Sequence, residues 1–300
     1  MKKLILAAFL FVSTMSTSTL ADIKMGIILG FTGPIESLTP AMAGSAELAF
    51  KEASDSGKLL GGQKISVERA DSTCVDSAAA TTAAEGLISN GVVAIMGADC
   101  SGVTGAIATN VAVPNGVVMI SPSATSPGLT DLNDNGYFFR TAPSDARGGQ
   151  ILADITKDRK VKSVAITYTN NDYGKGLADV YKAAVEAHGI KVTTVAAHED
   201  GKADYSAEVA TLASAGGDAV AVIGYIDQGG KGIIQASLDS GAFDVFILSD
   251  GMIGDSLTDN FGKALNKSFG SLPGSTGKGA GVFADVAKAG GIDSSGPYTG

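Results

Sequence analysis

Short apolar runs alternate with longer amphipathic stretches along most of this chain. The runs at 23–29 and 91–96 are continuous enough for strands that are buried on both faces. Between them, Met42, Ala46 and Phe50 recur at the spacing of one helix face. Strands that alternate with helices in this order predict a parallel sheet covered by helices on both faces.

The predicted elements form two consecutive series, separated by an aromatic, turn-rich segment at 133–143. The first series has strands at 23–29, 64–69, 91–96 and 117–120, and helices at 42–57, 76–89 and 104–113. The second has strands at 163–167, 191–196, 219–223 and 245–248, and helices at 144–157, 173–188, 205–215 and 229–240. Because 300 residues exceed the size at which one hydrophobic core usually keeps growing, we predict an α/β fold with two doubly wound parallel-sheet lobes. Lobe 1 is expected at 22–140 and lobe 2 at 141–275.

The first 21 residues have the three parts of a secretory signal peptide. Lys2 and Lys3 form a positive start, residues 4–12 form an apolar segment, and residues 19–21 form a small-residue cleavage site. The apolar segment is too short to cross a bilayer as a helix. We therefore predict a soluble exported protein that is cleaved after Ala21.

Composition and charge narrow the classes of function. Hydrophobic residues make up 45% of the chain and charged residues 18%, which is typical of a fully folded protein. The formal net charge is −9, and removal of Lys2 and Lys3 takes it to −11 (−9 minus 2). An acidic protein is a poor partner for nucleic acid or for anionic lipid surfaces, which select basic faces. We expect neither as a partner.

The chain contains two cysteines, Cys74 and Cys100. An even count in an exported protein predicts a disulfide rather than two free thiols. Closing a loop over this separation would stabilise the fold by about 3 to 4 kcal/mol through the lost entropy of the unfolded chain. Two cysteines with no histidine nearby do not form a zinc site, so no metal is expected.

Three strand ends offer the polar groups that an amino acid requires. Ligands of parallel sheets bind beyond the carboxyl ends of the strands. Ser101 follows the strand at 91–96 and either caps the next helix or offers its hydroxyl and nearby N–H groups to a carboxylate. The loop with Ser123, Ala124 and Thr125 follows 117–120 and is either a binding loop or an ordinary polar connection. Asp250 follows 245–248 and either pairs with an ammonium group or is a turn residue.

Aromatic and catalytic candidates are few. Tyr173 and Tyr225 lie in loops of the second series and could form the wall of a ligand site or pack at a boundary. His188 and His198 are expected at the solvated surface, away from the ligand side. No G-x-S-x-G, H-E-x-x-H or G-x-x-x-x-G-K-[ST] motif occurs. We therefore expect no enzymatic activity and no cofactor.

Several segments together resemble a known family. They are FTGPIESL after the first strand, the pair Cys74 and Cys100 with Ser101, the loop MISPSATSPGLT, the segment YTNNDYGKGLAD and the later DGM. The chain resembles the leucine/isoleucine/valine-binding proteins of branched-chain amino acid ABC transporters. This resemblance implies the type I periplasmic binding fold, in which a hinge joins the two lobes. It also implies a monomer in the periplasm that delivers an amino acid to a membrane permease.

The resemblance also implies roles for lobe 1 residues. Ser101 matches the family serine that receives the α-carboxylate of the ligand. Ser123 stands where a backbone carbonyl meets the α-ammonium group. Ala124 lies in the same loop, and Thr125 matches the residue whose hydroxyl and N–H serve both groups.

Lobe 2 completes the site that the resemblance implies. Tyr173 and Tyr225 align with the two tyrosines of the second lobe. Asp250 aligns with the acidic residue that pairs with the ammonium group, and here it is Asp instead of the longer Glu. Leu38 falls near the position of an aromatic residue in some relatives, so the side-chain preference of this site is left open.

One further expectation concerns the end of the sequence. Residues 276–300 are expected to begin the return to lobe 1, and the chain looks truncated after GPYTG.

Two rival functions remain. The first rival is an exported sensor domain that presents an amino acid or amide to a signalling partner. The second is a hydrolase of a small amide, which would require a nucleophile beside a base.

Overall fold

The structure is a computed structural model that describes residues 21–274 and 279–300. The predicted signal peptide at 1–21 lies outside the described residues, apart from Ala21. None of the described helices combines the length and the apolar character that a bilayer-spanning helix requires.

The first five described strands form one parallel sheet. They are β1 (Ile23–Leu29), β2 (Ile65–Asp71), β3 (Ala94–Gly97), β4 (Val118–Ser121) and β5 (Phe138–Arg140). Their order in the sheet is β2-β1-β3-β4-β5, and all neighbours run parallel. Ile27, Ile28 and Leu29 are fully buried in the centre, as a strand covered on both faces requires.

Three of the described helices accompany this first sheet. They are α1 (Thr39–Asp55), α2 (Ser77–Ser89) and α3 (Ser101–Ile107), and a π-helical turn at Ala108–Ala112 extends α3. Asp76 caps α2, because its Oδ1 accepts hydrogen bonds of 3.0 Å from the N–H groups of Ala78 and Ala79. This cap fixes the start of α2, within one residue of the predicted start at 76.

The other five described strands form a second parallel sheet. They are β6 (Ser163–Thr169), β7 (Lys191–His198), β8 (Ala219–Ile223), β9 (Phe246–Leu248) and β10 (Phe269–Gly270), in the order β10-β9-β8-β6-β7. The accompanying helices are α4 (Asp145–Asp158), α5 (Asp172–Ala187), α6 (Ser206–Ala215), α7 (Gly229–Ser240), α8 (Asp255–Phe261) and α9 (Gly279–Ala289). All five residues of β8 are buried. Two doubly wound parallel sheets of one α/β fold are thus confirmed.

The structure differs from the predicted elements at two places. The segment at 133–143 was expected to interrupt the strands, but it contains β5, which adds an edge strand to the first sheet. Helices were also expected on both faces, yet Val118, Ile120 and Phe139 are 41%, 41% and 51% exposed. One face of β4 and β5 is therefore uncovered by the residues that the structure describes.

The two sheets divide the described chain near residue 140. We use lobe 1 for the part built on β1 to β5 and lobe 2 for the part built on β6 to β10. Asp227 of lobe 2 bridges the lobes, since its N–H donates to Pro34 O at 3.0 Å and its Oδ2 accepts from Ser37 N at 2.9 Å. The exact lobe limits stay a prediction.

Candidate functional site

A narrow cavity of about 30 Å³ lies where the two lobes meet. We call it the tyrosine cavity. Lobe 1 contributes Asp99, Ser101 and Ser123 to its wall, and lobe 2 contributes polar groups that follow β6, β8 and β9. The remaining lining residues are Ile35, Leu38, Met42, Cys100, Tyr173, Tyr225, Asp250, Gly251 and Tyr298. Five of the predicted site residues are thus brought together, namely Ser101, Ser123, Tyr173, Tyr225 and Asp250.

Ser101 lies in the first turn of α3, after the N-cap residue Cys100. Its Oγ accepts a 3.0 Å hydrogen bond from Ser126 N, so the hydroxyl proton remains available to donate. The Ser123 hydroxyl is not free to donate to a ligand, because it donates to Asp99 O at 3.1 Å. The lobe 1 wall therefore offers a hydroxyl donor next to a helix start, which suits a carboxylate.

Ala124 and Thr125 lie behind this wall and do not line the tyrosine cavity. Ala124 N donates to Ser121 Oγ at 3.0 Å, and Ala124 O accepts from Arg140 Nη1 at 3.0 Å. Thr125 O accepts from Asp145 N at 2.9 Å. These contacts make both residues part of the support of the loop, and their role in ligand binding stays a prediction.

The lobe 2 wall is built around the carboxylate of Asp250, in the turn that follows β9. Tyr173 donates to Asp250 Oδ1 at 2.7 Å, and Tyr298 donates to Asp250 Oδ2 at 2.6 Å. The rings of Tyr173 and Tyr225 stack with centroids 5.3 Å apart. A Cβ atom at Gly251 would come within 2.6 Å of Gly224 O, which explains the glycine there.

The electrostatics of the tyrosine cavity favour a cationic group. Burial raises the pKa of Asp250, and the hydrogen bonds from Tyr298 and Tyr173 oppose that rise. Burial likewise raises the pKa of Asp99, against the hydrogen bond from Gly30 N. No lysine or arginine is among the described residues that line this cavity. An ammonium group would therefore supply the missing positive charge.

A second cavity, of about 110 Å³, is lined by lobe 2 residues and shares Asp250 with the first. We call it the Asp145 cavity, after the buried residue in the first turn of α4. Burial is the main cause that raises the pKa of Asp145, and the negative charge of Asp250 adds to it. Two carboxylates thus face one enclosed space.

Asp99, Asp145 and Tyr298 are site residues that the sequence analysis missed. Asp145 follows β5, so its position at a strand end would have been evident had that strand been predicted. Asp99 lies beside the predicted Ser101, between β3 and α3. No pattern in the sequence points to Tyr298, which lies 48 residues after Asp250.

The predicted disulfide is confirmed between Cys74 and Cys100. It joins the loop after β2 to the N-cap position of α3. Ser101 is the next residue, so the cross-link ties the start of its helix to the loop after β2.

The two histidines have different environments. His188 is near the surface and lies 2.7 Å from Asp154 Oδ1. His198 was expected at the surface, and this prediction is wrong, since the residue ends β7 and is 1% exposed. Its Nδ1 lies 2.8 Å from Thr167 Oγ1, and burial lowers its pKa to about 4. The sheet interior therefore holds it neutral.

Comparison with protein families gives a match over most of the chain. A family profile described as periplasmic binding protein matches residues 22–277. A Leu/Ile/Val-binding protein homolog 3 of Brucella melitensis is 32% identical over 216 residues, which are 72% of this chain and 58% of that protein. The homolog 1 of the same organism is 32% identical over 262 residues, 85% of this chain and 69% of that protein. The chain thus spans little more than half of the first relative.

A solved structure has the same fold. It is the substrate-binding protein LivJ of a branched-chain amino acid transporter from Streptococcus pneumoniae, in complex with isoleucine. The TM-score is 0.75 at 24% identity, and the match covers 89% of this chain and 77% of that one. At this identity the likeness bears on the fold.

Proposed function

The chain belongs to the periplasmic binding protein family, and on this premise we propose that it captures one free amino acid between its lobes. The amino acid is then delivered to the membrane permease of an ABC transporter. The curated relatives are named for binding leucine, isoleucine and valine. Branched-chain or related amino acids are accordingly the first ligands to test.

One observation carries the proposal. The tyrosine cavity has a carboxylate on one wall, Asp250, and a free hydroxyl donor at a helix start on the other, Ser101. The α-ammonium group of an amino acid fits the first and its α-carboxylate fits the second. The two groups come from different lobes, so a ligand that binds both also stabilises the contact between the lobes.

The remaining roles follow from this arrangement. We assign Tyr173 and Tyr225 to the wall around the ligand side chain, and Ser123, Ala124 and Thr125 to the backbone groups beside its polar end. The lobes are taken as 22–140 and 141–275, with 276–300 starting the return to lobe 1. Export to the periplasm after cleavage at Ala21 and action as a monomer complete the proposal.

Isothermal titration calorimetry and thermal unfolding with a panel of α-amino acids test this function. We expect at least one of them to bind and to raise the melting temperature, because a ligand of the native state stabilises it. Asp250→Asn should weaken the binding by about 2 to 5 kcal/mol, since it leaves a buried ammonium group without its counter-charge.

Asp259→Asn is the matched control, because this aspartate is exposed on α8 in the same lobe. It should bind like the parent. The proposal fails if no α-amino acid binds the parent protein, and the role of Asp250 fails if Asp250→Asn binds as tightly as Asp259→Asn.

A further inference from the structure

Asp145 is a buried carboxylate without a full set of partners. The residue is 4% exposed, and its Oδ2 accepts no hydrogen bond from any described residue. The Thr125 hydroxyl lies near the carboxylate, but not in hydrogen-bond geometry. A buried charge in this condition is costly unless a cation or donors reach it.

The positive side chains around Asp145 are engaged elsewhere. Arg140 donates to Ala124 O at 3.0 Å and to Ser126 O at 2.8 Å, and its second amino group donates to Thr130. Arg147 lines the Asp145 cavity, but its guanidinium donates to Gln150 at 3.2 Å. Neither arginine forms an ion pair with Asp145 within the described part of the chain.

The Asp145 cavity has the character of a site for an alkyl chain that ends in a cation. Its apolar wall includes Ile151, Leu152, Leu177 and Leu272, and two of its polar groups are carboxylates. With about 110 Å³ it is larger than the tyrosine cavity of about 30 Å³. Asp250 borders both cavities, so the Asp145 cavity lies beside the proposed ammonium site.

Charge balance points in the same direction. The single ammonium group of a neutral amino acid can compensate Asp250. Asp145 then has only the unpaired positive charge of Arg140 nearby, which lowers its pKa less than burial raises it. A second cationic group compensates both carboxylates and removes their mutual repulsion. The unpaired oxygen of Asp145 in this cavity therefore favours a ligand that brings a cationic donor to it.

We infer that the bound amino acid carries a second cationic group, an ammonium or guanidinium, on its side chain, and that Asp145 binds this group. The inference rests on the proposed function and names its substrate class. In this arrangement Ser101 receives the α-carboxylate, Asp250 the α-ammonium and Asp145 the side-chain cation.

Isothermal titration of the full chain with two matched ligand pairs tests the inference. L-Norleucine is L-lysine with its side-chain ammonium replaced by hydrogen, and L-citrulline replaces the guanidinium of L-arginine with a neutral ureido group. We expect at least one cationic member to bind about 30-fold or more tightly than its neutral partner. Asp145→Asn should reduce that ratio at least tenfold. Asp158→Asn, an exposed position at the end of the same helix, should preserve it.

The outcomes separate this inference from the function on which it rests. If leucine or norleucine binds and neither cationic ligand is preferred, the proposed function stands and the inference is overturned. A preference that persists in Asp145→Asn overturns the role of Asp145. If Asp145→Asn does not fold, the ratios of the parent protein decide, and equal affinities within both pairs overturn the inference. If no amino acid binds, both proposals fail.

Discussion

The hydroxyl of Tyr298 donates a 2.6 Å hydrogen bond to Oδ2 of Asp250, while Tyr173 donates to Oδ1 from the other side. Tyr173 precedes Asp250 by 77 residues, and Tyr298 follows it by 48 residues. Both oxygens of the carboxylate are therefore held in place, and each retains a lone pair for a further donor. The orientation of the proposed ammonium site is set before a ligand arrives, which lowers the cost of binding.

We expect Tyr298→Phe to weaken amino acid binding about tenfold at pH 7, because a hydrogen bond to a charged group contributes about 1.5 to 3 kcal/mol. The hydrogen bond from Tyr298 lowers the pKa of Asp250, so its loss leaves a smaller ionised fraction. The difference in affinity between Tyr298→Phe and the parent protein should therefore become smaller as the pH rises. Titration calorimetry at pH 7 and pH 9 measures both effects.

Tyr137→Phe is the control for this substitution, since Tyr137 does not line the tyrosine cavity. Equal affinities of Tyr298→Phe and Tyr137→Phe at pH 7 would contradict the role of the Tyr298 hydroxyl.

The strands in the middle of each sheet could be predicted from local pattern. β8 is a run of five apolar residues, and its predicted limits of 219 and 223 match the structure, because full burial leaves no polar position inside such a strand. Asp250 was found in the same way, as the polar residue that follows the buried strand β9. Where a local run of hydrophobic residues is also buried in the tertiary structure, the sequence alone is sufficient to predict the strand and the polar residue that follows it.

β5 shows where local pattern is not sufficient. It has three residues among turn formers, and its pairing with β4, such as Met119 with Phe138, depends on contacts that the segment itself does not specify. Asp145 was missed for this reason, because a search for polar residues after predicted strands does not include a strand that was not predicted. Tyr298 was missed because only the tertiary structure brings it to Asp250. His198 was misplaced because its polar neighbours suggested a surface turn.

Removal of the disulfide should affect both stability and binding. We expect the double substitution Cys74→Ser and Cys100→Ser to lower the free energy of unfolding by about 3 to 4 kcal/mol, because the unfolded chain regains the entropy of the open loop. Binding should also weaken, since Cys100 precedes Ser101 at the start of α3. Urea unfolding and calorimetry measure the two changes.

Treatment of the parent protein with a reductant is the matched control for the double variant. The reduced parent should show the same loss of stability. A double variant as stable as the oxidised parent would show that the cross-link has no energetic role.

Asp227 should control the rate at which a ligand leaves. It accepts from Ser37 N across the lobes and from Ser256 Oγ at 3.0 Å within lobe 2, and it lines neither the tyrosine cavity nor the Asp145 cavity. Asp227→Ala removes the hydrogen bond between Ser37 N and the Asp227 carboxylate, so we expect dissociation to become about three- to tenfold faster, as the loss of about one hydrogen bond predicts. Stopped-flow displacement of the bound amino acid measures this rate.

The exposed Asp259→Ala is the control for this variant and should leave the rate unchanged. An unaltered dissociation rate in Asp227→Ala would contradict the view that this contact holds the lobes together.

His198 should make folding stability depend on pH. Its folded pKa of about 4 lies below the ordinary value of 6.5, because burial disfavours the charged ring. As the pH falls below 6.5, the unfolded chain takes up this proton before the folded protein does, so the contribution is complete above 6.5 and is lost on acidification toward 4. The loss amounts to about 3 kcal/mol at 1.36 kcal/mol per pH unit.

His198→Asn isolates this effect, since the amide can still bond to the Thr167 hydroxyl that faces Nδ1. The buried carboxyl groups titrate in both proteins, so their influence cancels in the difference between the two. We expect the variant to be less stable at pH 7.5, and the gap to the parent to narrow by about 3 kcal/mol between pH 6.5 and pH 4. Urea unfolding at five pH values measures the gap. A gap that stays constant over this range would mean that His198 is not held neutral by the sheet interior.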